Sequence, residues 1–349
     1  MFQSFSISSS SSARFLAGFT LAAGLLLALG VGLALYIGAP SGDLVRIGKL
    51  ASIDLKPRHL QQPLYRHENS AGITADVRVL GDSFSGENLW QSELRRLTGL
   101  KTQTWHYKDI GCIDDWISAA IKDHAAHASR IIIVESIERE FMARFSAPQK
   151  GCTGKTGQPL KITGGIETFS PDKASVFPID IRYVAAASRN HFTAASAHGK
   201  TGSDAAISVD LTTDRLFSNV RNRRLSYFEG DDAKWSEWSP ARQQAALAYL
   251  AQIQALARQK HKQLLVLIIP DKSTTYAPWV QAGQLPARPQ PDLFLSLAGI
   301  LGESSNYLPA FRQGALQQVD FYRPDDTHLS LDGYRFLARE ISQRIHPQP

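Results

Sequence analysis

The residues Asp76-Val77-Arg78-Val79-Leu80-Gly81-Asp82-Ser83-Phe84-Ser85 combine the signs of a strand, a sharp turn and an approaching helix. Polar and apolar residues alternate up to Leu80 as in a strand, Gly81-Asp82-Ser83 is typical of a turn, and a helix is predicted from Glu87. The turn places Ser83 at the carboxyl end of a strand, where open α/β sheets bind ligands, and near the N–H groups of a helix start. Ser83 is therefore a candidate nucleophile, and it needs a base from elsewhere in the chain.

The composition is that of a globular protein. The chain has 349 residues, 43% hydrophobic and 20% charged, which argues against disorder and is enough for a large core. A formal charge of +6 is compatible with acidic glycans or anionic lipids nearby, although it is also common for a solvated basic surface. No Lys/Arg block or aromatic-basic pattern indicates nucleic-acid binding.

An unbroken apolar segment, residues 15–37, follows Arg14. At about 1.5 Å per residue a helix of this length can cross a hydrocarbon core of roughly 30 Å. We predict a cytoplasmic tail over 1–14, a transmembrane anchor over 15–37 and a domain on the outer side. A signal sequence cleaved after the segment is the alternative, but the apolar regions of signal peptides are typically about 7 to 15 residues long.

Strands and helices alternate to about residue 145 and again after 239, which predicts a parallel sheet flanked by helices. The predicted strands are 77–80, 102–106, 130–134, 263–270 and 319–322. The predicted helices are 87–97, 114–126, 239–260, 294–301, 308–316 and 334–345. Residues 38–75 are predicted to be a linker and lead-in segment, and residues 147–238 an inserted subdomain with a few strands.

A second motif lies near the end of the chain, at Pro324-Asp325-Asp326-Thr327-His328-Leu329-Ser330-Leu331-Asp332-Gly333. His328 follows a predicted strand and precedes the last helix, which is the topological position of Ser83. Serine chemistry needs a base for the hydroxyl proton and a carboxylate that orients the base. His328 and one of the two preceding aspartates can supply both.

Together these motifs resemble the SGNH (GDSL-type) hydrolase superfamily. Gly81-Asp82-Ser83-Phe84 stands near the start of the domain, and Asp-x-x-His, followed by a glycine five residues later, stands near its end. Within the superfamily the chain is most similar to the AlgJ/AlgX-like O-acetyltransferases of cell-envelope polysaccharides. Supporting residues are the segments 135–139 and 270–276. The resemblance implies a three-layer α/β/α, flavodoxin-like fold over residues 76–349, with the insertion at about 147–238.

The resemblance also implies roles for the site residues. Ser83 would be the nucleophile, His328 the base, and Asp325, three residues before the histidine, the orienting carboxylate. The alginate-type proteins often use Asp-x-His, which would select Asp326 instead. We favour Asp325.

The oxyanion hole is where the chain departs from the superfamily pattern. Typical members place an asparagine after the third strand, whereas this chain has Val134-Glu135-Ser136-Ile137-Glu138-Arg139 there. The hole would then depend on the backbone N–H groups of Ser83 and Gly111, aided by Arg139. Losing one such donor costs roughly 3 to 4 kcal/mol in the transition state of other enzymes. Slow hydrolysis would suit a transferase that keeps its acyl group from water.

Several further residues carry weaker predictions. Cys112 and Cys152 fit one disulfide in an exported domain, with two free thiols as the alternative. Lys272 and Tyr276 are candidate glycan contacts, although surface positions without a role are the alternative. For Arg139, a salt bridge with Glu138 is an equal alternative to a role in the site. Asp82 is expected to belong to the turn.

The combined interpretation is a periplasmic, membrane-anchored acyltransferase of the bacterial inner membrane, or a secreted periplasmic protein if the apolar segment is cleaved. Its substrate would be an envelope polysaccharide, and no metal or organic cofactor is implied. Because acetyl-coenzyme A is cytoplasmic, a multi-span membrane acyltransferase is expected as the acyl-donor partner. A carbohydrate O-acetyl esterase and a non-catalytic glycan-binding or scaffolding subunit are the alternatives.

Overall fold

A computed structural model of the chain describes residues 9–123, 129–147, 152, 154, 156–168, 180–203, 205–289 and 292–345, with the backbone alone for residues 9–11. Its strands are β1 (Leu64–Arg66), β2 (Val77–Gly81), β3 (Thr102–His106), β4 (Ile131–Ile137), β5 (Gly165–Glu167), β6 (Thr201–Gly202), β7 (Ala206–Asp210), β8 (Arg224–Phe228) and β9 (Gln263–Ile269). Its α-helices are α1 (Ser9–Ile37), α2 (Asp43–Gly48), α3 (Ser52–Leu55), α4 (Ser83–Gly86), α5 (Leu89–Thr98), α6 (Ile113–Lys122), α7 (Phe141–Phe145), α8 (Ile181–Ser196), α9 (Gly230–Ala233), α10 (Pro240–Gln259), α11 (Lys272–Tyr276), α12 (Leu293–Leu301), α13 (Leu308–Gln317) and α14 (Leu331–Arg344).

A four-stranded parallel sheet with the order β3-β2-β4-β9 forms the centre of the domain. The register pairs Gly81 of β2 with His106 of β3, and β4 pairs with β9 as far as Ile137 and Ile269. All four carboxyl ends therefore lie at one edge of the sheet. The turn that carries Ser83 begins at this edge.

Helices cover both faces of the sheet. Ile131 and Ile133 of β4 enter one core with α5, α13 and α14, while Ile132 and Val134 enter the other with α6, α7, α10 and α12. Because successive side chains of a strand point to opposite faces, a strand covered on both sides has a nearly continuous apolar sequence. The predicted α/β fold with a parallel sheet is confirmed.

Two predicted elements differ from the structure. The predicted last strand, 319–322, is reduced to an isolated bridge between Tyr322 and Leu329, and Asp320 has a left-handed φ of 58° that interrupts extended backbone. The helix predicted over 114–126 ends at Lys122, and residues 124–126 lie outside the described part of the chain.

The segments outside the central sheet pack onto it. The described part of 147–238 contains α8, α9, β5, which pairs with β1, and an antiparallel sheet of β6, β7 and β8. Residues 38–75, predicted as a linker, instead contain α2, α3 and β1. Leu44, Val45 and Leu55 share a core with Tyr183 and Ala187 of α8. The segment that follows α1 is thus part of the folded domain.

Helix α1 is apolar and mostly exposed. From Ser12 to Ile37 it is long and apolar enough to cross a membrane, and a signal sequence near the N-terminus would have the same features. Its last turn differs, because Ala34 and Ile37 are buried against the domain. Residues 1–8 of the predicted tail lie outside the described part.

The predicted disulfide is present. Cys112 and Cys152, 40 residues apart, form a bond with a Cα–Cα distance of 5.5 Å. It joins the residue before α6 to the start of the insertion.

Candidate active site

Ser83 is the exposed first residue of the short helix α4, directly after β2. The Asp82 carboxylate caps this helix by accepting a backbone N–H at 3.1 Å. Close packing requires glycine at position 81, because a Cβ there would lie 2.4 Å from Ser85 Oγ and 2.5 Å from Glu135 Oε2. The Gly-Asp-Ser turn thus holds a serine hydroxyl in an accessible position at the sheet edge.

His328 reaches Ser83 from the loop of residues 323–330, which we call the histidine loop. Its Nε2 lies 2.8 Å from Ser83 Oγ, and its Nδ1 lies 2.7 Å from Asp326 Oδ1. Since a carboxylate only accepts hydrogen bonds, Nδ1 carries the proton and Nε2 accepts from the serine hydroxyl. The Phe84 ring packs against the imidazole with a centroid distance of 4.8 Å. This tautomer is the one that a general base for serine requires.

The carboxylate that contacts the His328 ring is that of Asp326. The prediction that Asp325 orients the histidine is therefore wrong, and the alternative, Asp326, makes the contact. Asp326 Oδ1 also accepts the His328 backbone N–H at 3.1 Å, whereas Asp325 accepts two bonds from Arg323 at 3.1 and 3.0 Å. The tight turn between residues 326 and 328 brings the nearer aspartate to the imidazole. Burial favours the neutral acid, but the hydrogen bond from His328 and the charge of Arg323 hold the pKa of Asp326 below its ordinary value.

One protein-family model matches part of the chain. Residues 227–349 match the family model described as the SGNH hydrolase-like domain of the acetyltransferase AlgX. The C-terminal third of the chain is thus similar to an AlgX-type SGNH hydrolase-like domain. The resemblance predicted from sequence is thereby confirmed, with His328 and both aspartates inside the matched region and Ser83 outside it. No curated protein and no solved structure matches the chain.

In this SGNH hydrolase-like domain Lys272 supports the histidine loop from inside. Its side chain is buried, and Nζ donates to the backbone carbonyls of Arg323, Pro324 and Asp326 at 2.6, 3.3 and 3.0 Å. Burial lowers the pKa of Lys272 to about 7, opposed by the nearby carboxylates. Lys272 was predicted as a glycan contact, and its burial contradicts that prediction.

Tyr276 is also buried, with no exposed surface. Its hydroxyl accepts the Tyr322 backbone N–H at 3.2 Å, and its ring packs on Phe217 with a centroid distance of 4.8 Å. A side chain without exposed surface does not contact a glycan in this conformation. Tyr276 therefore belongs to the core beneath the histidine loop.

The groups predicted for the oxyanion hole lie in different segments, and the backbone N–H of Ser83 belongs to the first turn of α4. Gly111 lies in the exposed loop before α6. The Arg139 guanidinium contacts Asp271 at 2.7 Å and Asp231 at 3.3 Å. Because two buried carboxylates hold it, the arrangement does not support the predicted aid from Arg139.

A buried ion-pair network connects the sheet edge to the insertion. A salt bridge between Glu138 and Arg139 was one prediction from the sequence. In the structure Glu138 instead forms an ion pair with Lys234, at 3.1 Å. Lys234 also binds Asp271 at 2.6 Å, and both side chains are almost fully buried. Removing one partner of such a pair leaves an uncompensated buried charge, at a cost of roughly 3 to 5 kcal/mol. The network therefore fixes the insertion against the ends of β4 and β9.

Arg144 of α7 was not singled out from the sequence. Its Nη1 donates to Asp82 Oδ2 at 2.7 Å, and the same oxygen accepts the Ile137 backbone N–H at 2.9 Å. Burial opposes ionisation of Asp82, but the charge and hydrogen bond of Arg144 lower its pKa. Asp82, the residue before Ser83, is thus a carboxylate that ties α4 to β4.

Glu135 of β4 is a second residue whose role was missed. Its Oε2 accepts the Asp82 backbone N–H at 2.9 Å and the Ser85 hydroxyl at 2.8 Å, while its buried Oε1 has no partner among the described residues. Burial, followed by the charge of Asp82, raises the pKa of Glu135 well above its ordinary value. Glu135 therefore ties the turn that carries Ser83 to β4. An acidic residue inside an apolar strand is the signal that could have identified it.

Asp43, Asp326 and His328 each place one potential metal-ligand atom within 4.8 Å of the others. The Nδ1 atom of His328 already carries the proton that it donates to Asp326, and a protonated ring nitrogen does not bind a metal ion. We therefore interpret this group as a hydrogen-bonded cluster.

Proposed function

We propose that this protein is an SGNH-type O-acyltransferase that transfers an acetyl group to hydroxyls of a cell-envelope polysaccharide. The observation that carries the proposal is the continuous chain from Asp326 through His328 to Ser83, with contacts of 2.7 and 2.8 Å. A serine whose proton can pass to a histidine oriented by a carboxylate is suited to acyl-serine chemistry. The AlgX-type family match supports acetyl transfer as the reaction class.

Two half-reactions follow from this arrangement. Ser83 Oγ attacks the carbonyl carbon of the acyl donor while His328 Nε2 takes the hydroxyl proton, and that proton then passes to the departing group of the donor. In the second half, a sugar hydroxyl loses its proton to Nε2 and attacks the acyl-serine carbonyl. The proton returns to Ser83 Oγ when the acyl bond breaks, which regenerates the free serine and leaves an ester on the sugar.

Slow loss of the acyl group to water is expected from the departure from the usual oxyanion hole. At the position after β4, where SGNH hydrolases have an asparagine, Glu138 is buried and paired with Lys234. In other enzymes, removal of one oxyanion-hole donor raises the free energy of the transition state by roughly 3 to 4 kcal/mol. A weak hydrolase that binds its acceptor closely can retain the acyl group long enough to transfer it.

The proposed location is the periplasmic face of the bacterial inner membrane, with α1 as the anchor. The length and apolar character of α1 support this, as does the disulfide between Cys112 and Cys152, which suits an oxidising compartment. A periplasmic enzyme has no access to cytoplasmic acetyl-coenzyme A. We therefore propose that a multi-span membrane acyltransferase supplies the acyl group.

Product analysis tests the proposed function. The full chain in detergent would be incubated with p-nitrophenyl acetate and with deacetylated oligosaccharides, one based on uronic acids and one neutral. Mass spectrometry would count the acetyl groups on the sugars, and NMR would measure free acetate. Ser342→Ala is a matched control, because that hydroxyl is exposed on α14 and donates only to a backbone carbonyl at 2.7 Å.

We expect acetylated sugar from the wild-type protein and from Ser342→Ala, and none from Ser83→Ala. Release of acetate without sugar acetylation would identify an esterase instead. Glycan binding without turnover in the wild-type protein would identify a binding or scaffolding subunit. Either of these two results would overturn the transferase proposal.

A further inference from the structure

The segment that follows α1 lies directly against the histidine loop. The Leu44 backbone N–H donates to the Asp325 carbonyl at 3.1 Å, and Ser41 Oγ lies 3.5 Å from Asp325 Oδ2. Gly42 has a left-handed φ of 70°, and a Cβ on it would lie 2.3 Å from the Asp325 carbonyl oxygen. This approach is possible only because position 42 has no side chain.

Within this segment, Asp43 holds the second oxygen of the catalytic carboxylate. Its backbone N–H donates to Asp326 Oδ2 at 3.1 Å, while Asp326 Oδ1 faces His328 Nδ1 at 2.7 Å. A carboxylate with both oxygens bonded has little freedom to rotate away from the imidazole. The backbone of residue 43 therefore fixes the orientation of Asp326.

The side chain of Asp43 faces the same imidazole. Its Oδ2 lies 3.6 Å from His328 Nδ1, and its Oδ1 accepts a bond from the exposed side chain of Arg46 at 2.7 Å. Nδ1 has a single proton, which it donates to Asp326. The carboxylate of Asp43 therefore acts on His328 through its charge, which favours the imidazolium that forms when Ser83 loses its proton.

We propose that Asp43 is a positioning residue of the active site, contributed by the segment that follows α1. Its N–H fixes Asp326, and its carboxylate stabilises the charged form of His328. The inference rests on the proposed acyl-serine function. It adds the segment after α1 to a site otherwise formed by the Gly-Asp-Ser turn and the histidine loop. Asp43 follows Ile37, the last residue of α1, by six residues, which span at most about 20 Å. The catalytic histidine is thereby held close to the end of the apolar helix.

The two contributions of residue 43 can be separated because it is the first residue of α2, after the cap Gly42. Proline is favoured at this position of a helix, so Asp43→Pro removes both the N–H and the carboxylate with little cost to the helix. Asp43→Asn removes the charge and keeps the N–H. Asp43→Glu keeps both. Arg46→Gln is the control, since Arg46 contacts Asp43 but is exposed.

The assay measures the rate of Ser83 acetylation by p-nitrophenyl acetate on the full chain in detergent, with the midpoint of thermal unfolding recorded for every variant. For Asp43→Asn we expect a roughly tenfold lower kcat with KM within about twofold, because the loss falls on a charge formed during the reaction. Asp43→Pro should be lower by about a further tenfold, the value of one hydrogen bond to a charged group. Asp43→Glu and Arg46→Gln should stay within about threefold of the wild-type rate.

These outcomes distinguish the inference from the proposed function. If Ser83 is acetylated at the same rate in the wild-type protein, Asp43→Asn and Asp43→Pro, the role of Asp43 is overturned and the serine chemistry is left intact. A loss of kcat accompanied by a lower unfolding midpoint and not restored by Asp43→Glu would also overturn it, since that result indicates a purely structural residue. A wild-type protein that is never acetylated on Ser83 would instead reject the proposed function.

Discussion

Replacing Asp326 with asparagine should disable the nucleophile without disturbing the fold. Asp326 accepts hydrogen bonds at both oxygens: Oδ1 from the ring and backbone of His328 at 2.7 and 3.1 Å, and Oδ2 from the Asp43 N–H at 3.1 Å. An asparagine of the same shape has one acceptor and one NH₂ donor. Whichever way it lies, its NH₂ group meets an N–H donor.

Each orientation of the asparagine has a defined cost. With NH₂ towards His328, the ring must expose a bare Nδ1 and carry its proton on Nε2, which can then no longer accept from Ser83. With NH₂ towards Asp43, a donor faces a donor at a buried position. The corresponding change in other serine-triad enzymes lowers kcat about 10⁴-fold. That factor is equivalent to about 5.5 kcal/mol of transition-state stabilisation, and we expect a loss of about 10³ to 10⁴ here.

Asp325→Asn provides the matched comparison. Asp325 is as buried as Asp326, but its carboxylate binds Arg323 rather than the histidine. We expect a loss of stability of about 1 to 3 kcal/mol from the weakened buried pair and less than a tenfold loss of kcat. The assay is the burst of p-nitrophenol on Ser83 acetylation, with denaturant unfolding of each variant. A larger kcat loss in Asp325→Asn than in Asp326→Asn would refute the assignment.

Three further substitutions test the surroundings of the site. Glu135→Gln should keep activity within about threefold. Because the pKa of Glu135 is raised in the folded state, the unfolded chain loses this proton at lower pH, and the stability of the wild-type protein falls as the pH rises above about 4.3. The variant should therefore gain stability relative to wild type between pH 4 and pH 7, as measured by urea unfolding. Lys272→Met should lower kcat at least tenfold, since the carbonyls of the histidine loop lose three hydrogen bonds donated by Lys272 Nζ. The burst assay measures kcat and KM. Cys112→Ser should cost about 3 to 4 kcal/mol because a loop of 40 residues is no longer closed, as measured by urea unfolding with and without reductant. Equal pH dependence for Glu135→Gln and wild type, or a Cys112→Ser variant as stable as the oxidised wild-type protein, would contradict these expectations.

The parts of the site that follow local patterns could be predicted from the sequence. The strand ending at Gly81 and the loop before the last helix are both marked by short-range signals, and parallel strands bring their carboxyl ends to one edge. Ser83 and His328 therefore could be placed together although 245 residues separate them. Which aspartate contacts the histidine could not be read from spacing, because a shift of one residue depends on the backbone of the turn.

The supporting residues were missed because their contacts are made by distant chain segments. Lys272 stands in a polar run that looks exposed, and it is buried only because residues 323–326 fold over it. The segment after α1 has prolines and scattered charges, which predict a linker. Its packing against the histidine loop depends on Gly42 and on a core shared with α8, neither of which has a periodic signal.

The histidine loop is held from two sides. Lys272 binds its backbone carbonyls from within the domain, and residues 42–44 bind its aspartates from the segment after α1. Such a preorganised carboxylate and imidazole need little rearrangement when charge develops on the ring. This support of the histidine loop from two sides would favour the proposed reactivity of Ser83.

Peptide mapping of the full-length protein after brief exposure to p-nitrophenyl acetate tests the central claim most directly. An acetyl group on Ser83 of the wild-type protein, absent in His328→Ala and in Asp326→Asn at the same exposure time, is the predicted result. Acetylation of Ser83 at the wild-type rate in His328→Ala, or an acetyl group on another residue in place of Ser83, would contradict the assignment of a serine nucleophile activated by His328 and Asp326.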